Sequence, residues 1–570
     1  MSYAQKIFAC ISIFVFIPVL VSAQQPAIVD ESQRQIEQEM KLREKIEEEK
    51  QAPEVIEAEA PAKKAPLARG EKAYIKEIKV INVTLLSEET VQGIVRPFRN
   101  KTIGLEEMQK IADLITDAYR TAGFVTSRGY LPPQKIQEGV LLIRGVEGVT
   151  GNMDIKGNRF FRTEMIRQAI LLEKGEPFDY YELKKGMQRI NEHPDRKAKA
   201  VLVPGKEPGT TDIILEVADN LPVHARLEYD NYASRYVGKN RYTAVVSHNN
   251  LSGHDDILSL QYQLSDDADY QYIWGRYLYP LTPKMKLGLY ASKSDLDLGK
   301  EYAAVDAEGE SEIFGIFATH ELVREEELDI TLNTEFEYMN SKNYQLGSQQ
   351  SRDKLRIVKL GLDIDLVDHF FGGARTIIAP GIDFGIPDIL GGSDEKDTNS
   401  SRTGAGGKFV RPALNLLRLQ KLPWESALLW KNQAQVSGYV LPASQQLQLG
   451  GVSNVRGYPS GETYGDMGYA TTFEWLIPPY LLPKDIKVPF SKAKFYDTLK
   501  FALFYDWGWA KLRQPQAGER REDTLRSFGC GLRLNLPEDF SIRADLAWPL
   551  DRTPSDGDHF HPWFSVSKQF

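Results

Sequence analysis

The chain has 570 residues, 42% of them hydrophobic, and a formal net charge of −9. That length exceeds one ordinary domain, and the negative balance argues against nucleic acid as a partner, because phosphate binding needs concentrated lysine and arginine. The 26 Tyr, 25 Phe and 44 Gly suit many short strands with amphipathic rings, as in the girdles of membrane barrels.

Residues 1–23 read as an export signal. Lys6 precedes an apolar run over 7–21, and Val21-Ser22-Ala23 is a small-residue cleavage site. The run is broken by Pro18 and falls short of the roughly 20 apolar residues of a spanning helix. Cleavage would remove Cys10 and leave Cys530 alone, so no internal disulfide is expected. No later stretch reaches spanning length, so membrane insertion must use strands. Residues 24–50 form a charged segment. Within 30–50, Glu37–Lys41 and Glu39–Arg43 set opposed charges one helical turn apart, and few apolar residues are available to bury. A solvated helix and a detachable helix able to occupy an aqueous cavity are both open readings. Residues 51–70, with Pro53, Pro61 and Pro66, read as an extended linker.

Two small α/β modules follow, over 71–148 and 149–221. In the first, 74–83 alternates as a strand and Ser87 with Thr90 opens a helix reaching about Phe98. Residues 105–123 then place Met108, Ile111, Ala112, Ile115 and Tyr119 on one helical stripe ending at Gly123. Residues 140–146 form a strand, giving the order βααββ, with the middle strand not fixed by the pattern. The order recurs with strand 149–158, helices 163–172 and 180–191, and strands 198–203 and 211–217. Such modules can expose a sheet edge to which an extended peptide adds as a strand.

From Val223 the pattern turns to period two. Val223, Ala225, Leu227 and Tyr229 alternate with His224, Arg226, Glu228 and Asp230. Strands are expected near 223–231, 241–249, 257–265, 270–279, 284–292, 311–320, 328–338 and 354–366. Eight more are expected near 374–385, 408–419, 426–437, 468–477, 500–511, 526–536, 540–549 and 560–570. About sixteen antiparallel strands of this length suit a transmembrane β-barrel over 222–570. Even-to-odd links are mostly short, while 293–310, 386–407 and 438–467 are long and polar; 478–499 is long on the other side. A soluble β-sandwich is the rival, but the polar faces carry enough charge to line water. Phe560, Phe564, Val566 and Phe570 share a face of the last strand.

Enzyme chemistry has no footing. The histidines form no HExxH, and no P-loop or GxGxxG follows a strand, so neither cofactor nor metal is expected. His559 and His561, on the lumen side of the last strand, read as pore or rim residues, and Cys530 as a lipid-facing one.

The polar segment 438–467 contains Val455, Arg456, Gly457 and Tyr458. In 500–511 the odd positions Phe501, Leu503, Tyr505, Trp507 and Trp509 should face lipid, which turns Asp506 and Gly508 into the lumen. If the segment folds inward, Arg456 can fork onto Asp506, and Gly508 leaves room for another backbone.

VRGY at 455–458, FYDWG at 504–508 and two modules resembling POTRA domains together look like a two-partner secretion transporter of TpsB type. These are relatives of the haemolysin and filamentous-haemagglutinin exporters, in the superfamily of the barrel-assembly insertase. Segments 128–148, 203–211 and 227–253 are similar to that family too. The resemblance implies a sixteen-stranded barrel in the bacterial outer membrane, periplasmic modules, a plug helix at 30–50 and an inward loop whose Arg456 meets Asp506. It further implies a large secreted exoprotein as partner, recognised through its N-terminal secretion domain and exported unfolded without ATP. Outer-membrane lipid surrounds such a barrel, and the barrel-assembly machinery would read the terminal Phe570. An insertase that assembles other barrels is the alternative; a diffusion porin would need neither the modules nor the VRGY loop.

Overall fold

The computed structural model describes residues 54–57 and 72–570, apart from 267, 268, 490 and 517, and scattered positions between 27 and 46. The expected export signal and most of the expected linker lie outside the described residues. Two compact units result, one of residues 51–222 and one of 1–50 with 223–570.

The first unit holds nine strands and four α-helices among the described residues. Its strands are β1 (Val55–Glu57), β2 (Lys72–Ile75), β3 (Glu77–Ile81), β4 (Lys101–Gly104) and β5 (Arg128–Tyr130), then β6 (Val140–Val146), β7 (Val149–Lys156), β8 (Arg196–Pro204) and β9 (Thr210–Asp219). Its helices are α1 (Glu88–Val95), α2 (Leu105–Thr121), α3 (Thr163–Gln168) and α4 (Tyr180–Asn191). Ser87 caps α1 by accepting from the Thr90 amide at 3.2 Å, which satisfies one of the orphan donors of the first turn. In α2 the buried residues are Met108, Ile111, Ala112, Ile115 and Tyr119, spaced for one face. They pack on Leu141 and Ile143 of β6. Burying an isoleucine in this way stabilises by about 1.5–3 kcal/mol, so a charge at Ile115 would break the first module.

The module sheets are β3–β6–β5 and β1–β8–β9–β7, with β2 and β4 as a separate ribbon. The expected strand at 74–83 is thus two strands, and the undetermined middle strand is β5. The second sheet carries an unexpected edge. Val55–Glu57, read as linker, pairs in parallel with β8.

The second unit closes into a barrel of sixteen strands. They are β10 (Val223–Asp230), β11 (Arg241–His248), β12 (Ile257–Ser265), β13 (Tyr270–Thr282), β14 (Met285–Leu298), β15 (Ala307–Arg324), β16 (Leu328–Gln345) and β17 (Ser348–Asp368). The circuit continues through β18 (Ala374–Gly385), β19 (Phe409–Lys421) and β20 (Ala427–Gln435). A small hairpin, β21 (Leu447–Leu449) with β22 (Thr463–Gly465), forms a separate two-stranded sheet. Then come β23 (Met467–Ile477), β24 (Leu499–Lys511), β25 (Glu522–Leu536), β26 (Phe540–Pro549) and β27 (His561–Gln569). Each wall strand pairs antiparallel with its neighbour, and β27 closes on β10.

Every strand expected from the alternation is present. Outward positions such as Leu227, Ile273, Ile316 and Leu503 stay exposed, while inward Glu228, Asp230, Thr472 and Ser527 are buried. A sandwich would bury the apolar set instead. One expected long link shrinks, 293–310 becoming 299–306, and the strands expected at 328–338 and 354–366 lengthen until β16 and β17 meet at a turn over 346–347. The strands run on past the apolar band because ladder hydrogen bonds need no lipid-facing side chains. The final residue joins the seam through its backbone, the Phe570 amide donating to the Ala225 carbonyl at 2.8 Å.

Candidate functional site

The site is built on the link between β20 and β23, in which residues 441–459 form an unbroken buried run. Buried backbone must find partners, and the local sequence supplies them. The Asn454 side chain accepts from the Gly450 and Val455 amides and donates to the Gln448 carbonyl, each at 2.8 Å. Gly450 has φ +107°, and a Cβ there would lie 2.2 Å from the Pro459 carbonyl, so the turn needs glycine. The far end of the link is fixed by Asp466, which takes Arg402 at 2.5 Å and the Leu441 amide at 2.9 Å.

Arg456, 1% exposed, stands at the centre. Its Nη2 lies 2.9 Å from Asp506 Oδ1, and its Nε and backbone amide reach Asp506 Oδ2 at 3.0 and 3.1 Å. Its Nη1 donates to Glu474 Oε2 at 2.8 Å and lies 3.5 Å from Asp545 Oδ2. The guanidinium carbon sits 3.3 Å from the ring centre of Phe504, a cation over an aromatic face. The Arg456 carbonyl accepts from Trp563 Nε1 at 2.7 Å. Asp506 is further held by Thr472 and Ser527, at 3.0 and 3.1 Å, its cross-strand neighbours on β23 and β25.

The other motif residues pack around this pair. Val455 and Tyr458 are fully buried with Leu449 and Leu525, and the Tyr458 hydroxyl accepts from the Asp551 amide at 3.3 Å. Gly457 is where backbone closes in, a Cβ falling 2.9 Å from Pro549 N. Gly508 differs from expectation: its space is taken by the side chains of Val455 and Leu449, at 2.9 and 3.0 Å from a Cβ, not by another backbone.

Sequence reasoning missed the rest of the ion network. Arg533 reaches Glu474 at 2.8 Å and Asp545 at 2.7 Å, and Arg543 reaches Asp545 at 3.0 Å. The signal was available, because Glu474 shares inward parity with Thr472, and Asp545 with Arg543. Reading only the strand that carries Asp506 overlooked it. Arg43, from the N-terminal segment, lies 3.4 Å from the same Glu474 oxygen that Arg456 uses. The described residues of that segment are helical. Ile36 packs on Tyr232, Val452 and Trp563, and Ile46 on Ile377, Leu417 and Leu429. His561 is corrected: it is buried, with Nε2 2.9 Å from Asp556, rather than solvated at a rim. His559 is exposed ahead of β27, and Cys530 is half-buried.

Residues 209–534, more than half of the chain, match the family described as haemolysin secretion/activation protein ShlB/FhaC/HecB. The chain belongs to this family. Residues 74–148 of this ShlB/FhaC/HecB member match a POTRA domain of ShlB type. Among curated proteins it is similar to the heme/hemopexin transporter protein HuxB of Haemophilus influenzae, 24% identical over 530 residues that cover 89% of each chain. Among solved structures it is similar to CdiB from Escherichia coli, with a TM-score of 0.75 at 20% identity, covering 96% of this chain and 99% of that one. It also shares its fold with BamA from Haemophilus ducreyi lacking POTRA domains 1–3, with a TM-score of 0.51 at 15% identity, covering 87% and 100%. This family member is a two-partner secretion transporter of the bacterial outer membrane, its POTRA modules on the periplasmic side.

Proposed function

We propose that this transporter recognises one large exoprotein in the periplasm through its POTRA modules and threads it, unfolded, out through the barrel. No nucleotide takes part; folding of the partner outside the cell biases movement outward. The 30–50 segment closes the pore at rest, and the Arg456 loop shapes the pore wall without blocking passage. One observation carries this reading: Arg456 ties the loop into the wall through Asp506 and Glu474, and Arg43 of the helical segment reaches the same Glu474. Relatives whose names record heme/hemopexin and haemolysin transport agree with a large secreted partner. During biogenesis the apolar outer belt meets lipid, and the β27 end with Phe570 is presented to the barrel-assembly machinery.

The test is export of a co-expressed exoprotein bearing an N-terminal secretion domain, then transport of the same partner, supplied unfolded, into energy-depleted outer-membrane vesicles. Wild type should export in both settings, and Arg456→Ala should lose at least tenfold. A wild-type chain that moves nothing in depleted vesicles would overturn the passive mechanism.

A further inference from the structure

Five large apolar side chains stand exposed past the ends of their strands. Phe370 and Phe371 lie in the β17–β18 turn, Trp424 in the β19–β20 turn, and Tyr480 and Leu481 in the β23–β24 link. Each follows the last ladder pair of its strands. Leu481 is 99% exposed and Trp424 82%. The three links are consecutive on the even-to-odd rim of the barrel, and side chains tie them together. Gln420, at the end of β19, donates to the Phe370 and Gly373 carbonyls at 2.8 and 3.0 Å, and the Tyr480 hydroxyl donates to the Trp424 carbonyl. Phe371 and Trp424 hold φ of +48° and +60°, a left-handed conformation that bulky residues rarely adopt. Packing within the chain does not compensate, since both rings are largely exposed.

The third of these links is basic. Lys484 pairs with Glu425 at 3.7 Å and Lys494 with Asp485 at 3.2 Å. Lys487 and Lys492, both exposed, form no ion pair among the described residues. By contrast, the β15–β16 and β25–β26 turns of the same rim read Glu325-Glu326-Glu327 and Pro537-Glu538-Asp539. The apolar tips and the basic link thus share one arc of the rim.

We propose that this arc is an anchor in the periplasmic leaflet of the outer membrane, with anionic phospholipid as its occupant. The surface is continuous with the lipid-facing wall, because Trp475 of β23 and Phe501 of β24, both exposed, flank the third link. Tryptophan settles at headgroup level because its ring is apolar and its N–H polar. Leu481 supplies apolar contact, and Lys487 with Lys492 supplies the charge that meets a lipid phosphate. Burial of the rings in the leaflet offsets the left-handed backbone that holds them out. An aromatic girdle rings a whole barrel wall on its strands, whereas this arc is one-sided, lies on turns and carries charge, so it selects a headgroup.

The test uses the full-length transporter with Leu481→Cys in a Cys530→Ser background, labelled with an environment-sensitive fluorophore and reconstituted in liposomes. Phosphatidylglycerol and phosphatidylcholine, each spin-labelled near the carbonyl, are compared as quenchers. The label at 481 should emit at shorter wavelength than one at Leu346→Cys, which lies in the β16–β17 turn of the opposite rim and is 71% exposed. It should be quenched by lipid more than by aqueous iodide, and by phosphatidylglycerol more than by phosphatidylcholine. Lys487→Gln with Lys492→Gln should lower that headgroup preference roughly tenfold and leave the wavelength shift in place. Trp424→Ser with Phe371→Ser should weaken quenching by both lipids while the barrel keeps its compact gel mobility. Water-like emission with iodide quenching at 481 would overturn the proposal, as would equal quenching by the two lipids whether or not the lysines are present. A wavelength shift that appears only when a co-reconstituted exoprotein is added would assign the arc to a protein partner and overturn it too.

Discussion

The Arg456 side chain is bonded to β24 through Asp506 and to β23 through Glu474, while its backbone carbonyl accepts from Trp563 of β27, so one residue fixes a loop against several strands. A single ammonium cannot span these acceptors. Arg456→Lys should therefore recover little of what Arg456→Ala loses. Leaving buried Asp506 and Glu474 short of their partner costs about 3–5 kcal/mol, read as a lower temperature at which the barrel loses its compact gel mobility in detergent. A second residue carries a pH dependence, in the first module. Glu147 accepts from the Leu85 amide and the Tyr119 hydroxyl, both at 2.8 Å, and from Thr84. Burial pushes the Glu147 carboxyl up, but these hydrogen bonds outweigh it and hold it below the ordinary carboxylate range. Burial first, and then this carboxylate, push the Tyr119 phenol up. A depressed acid stabilises the fold fully above its unfolded value, about 4.3, and the contribution is lost as pH falls through the lower folded value. Protease resistance of the first module should thus decline below about pH 4.3 in wild type. Glu147→Gln should already be weaker at neutral pH, by about 1–2 kcal/mol, and should vary less with acid.

At the scale of elements, the helical segment and the 441–459 run share Glu474 yet differ in how they are held. Arg43→Ala should loosen the helix and raise the resting current, leaving Glu474 paired with Arg456 and Arg533. Deleting residues 24–50 should raise the current further. In that chain a cysteine placed at Ser453, itself 6% exposed, should label more readily because Val452 has lost its contact with Ile36. A cysteine at Val455, packed against the wall by Leu525, should stay protected. A loop that came loose as a whole would label at both positions and contradict the division of roles. These elements were unequally legible in the sequence. Strands crossing the apolar band announce themselves, because lipid outside and water inside force strict alternation, as in β24. Beyond the band that demand lapses, and the end of β14, Lys293-Ser294-Asp295, reads as loop although its ladder to β15 is unbroken. β4 and β1 are too short to show a period at all, and β1 exists only because β8 offers an edge. Asp506 was legible as the partner of Arg456 from parity on one strand. Glu474 and Asp545 were open to the same parity argument on β23 and β26, but which of the inward charges meet one another was fixed only by the register of the sheet.

For the whole molecule, the question is whether cargo leaves along the barrel axis or through the wall. The seam is the place to ask, since β10 and β27 share a register of only Arg226–Asp230 with Ser565–Gln569, where β16 and β17 are paired almost throughout their length. Side chains reinforce it: Asn231 donates to the Pro562 carbonyl at 2.8 Å and accepts from the Phe564 amide at 2.7 Å, and the Tyr232 hydroxyl meets Ser565 at 3.0 Å. The pinned loop adds the Trp563 bond to Arg456 from inside. An insertase would have to part this seam to pass strands into lipid, whereas an exporter can keep it shut. Glu228 faces Ser567 across the seam, and directly opposed antiparallel residues have Cα atoms about 4.5–5.5 Å apart, within reach of a disulfide. Glu228→Cys with Ser567→Cys, in a Cys530→Ser background, should crosslink in the oxidising periplasm and leave export of the partner within about twofold of wild type, a difference of roughly 0.4 kcal/mol on a tenfold-per-1.4 scale. Export abolished by the crosslink and restored by reductant would place the route through the wall and favour the insertase mechanism over threading.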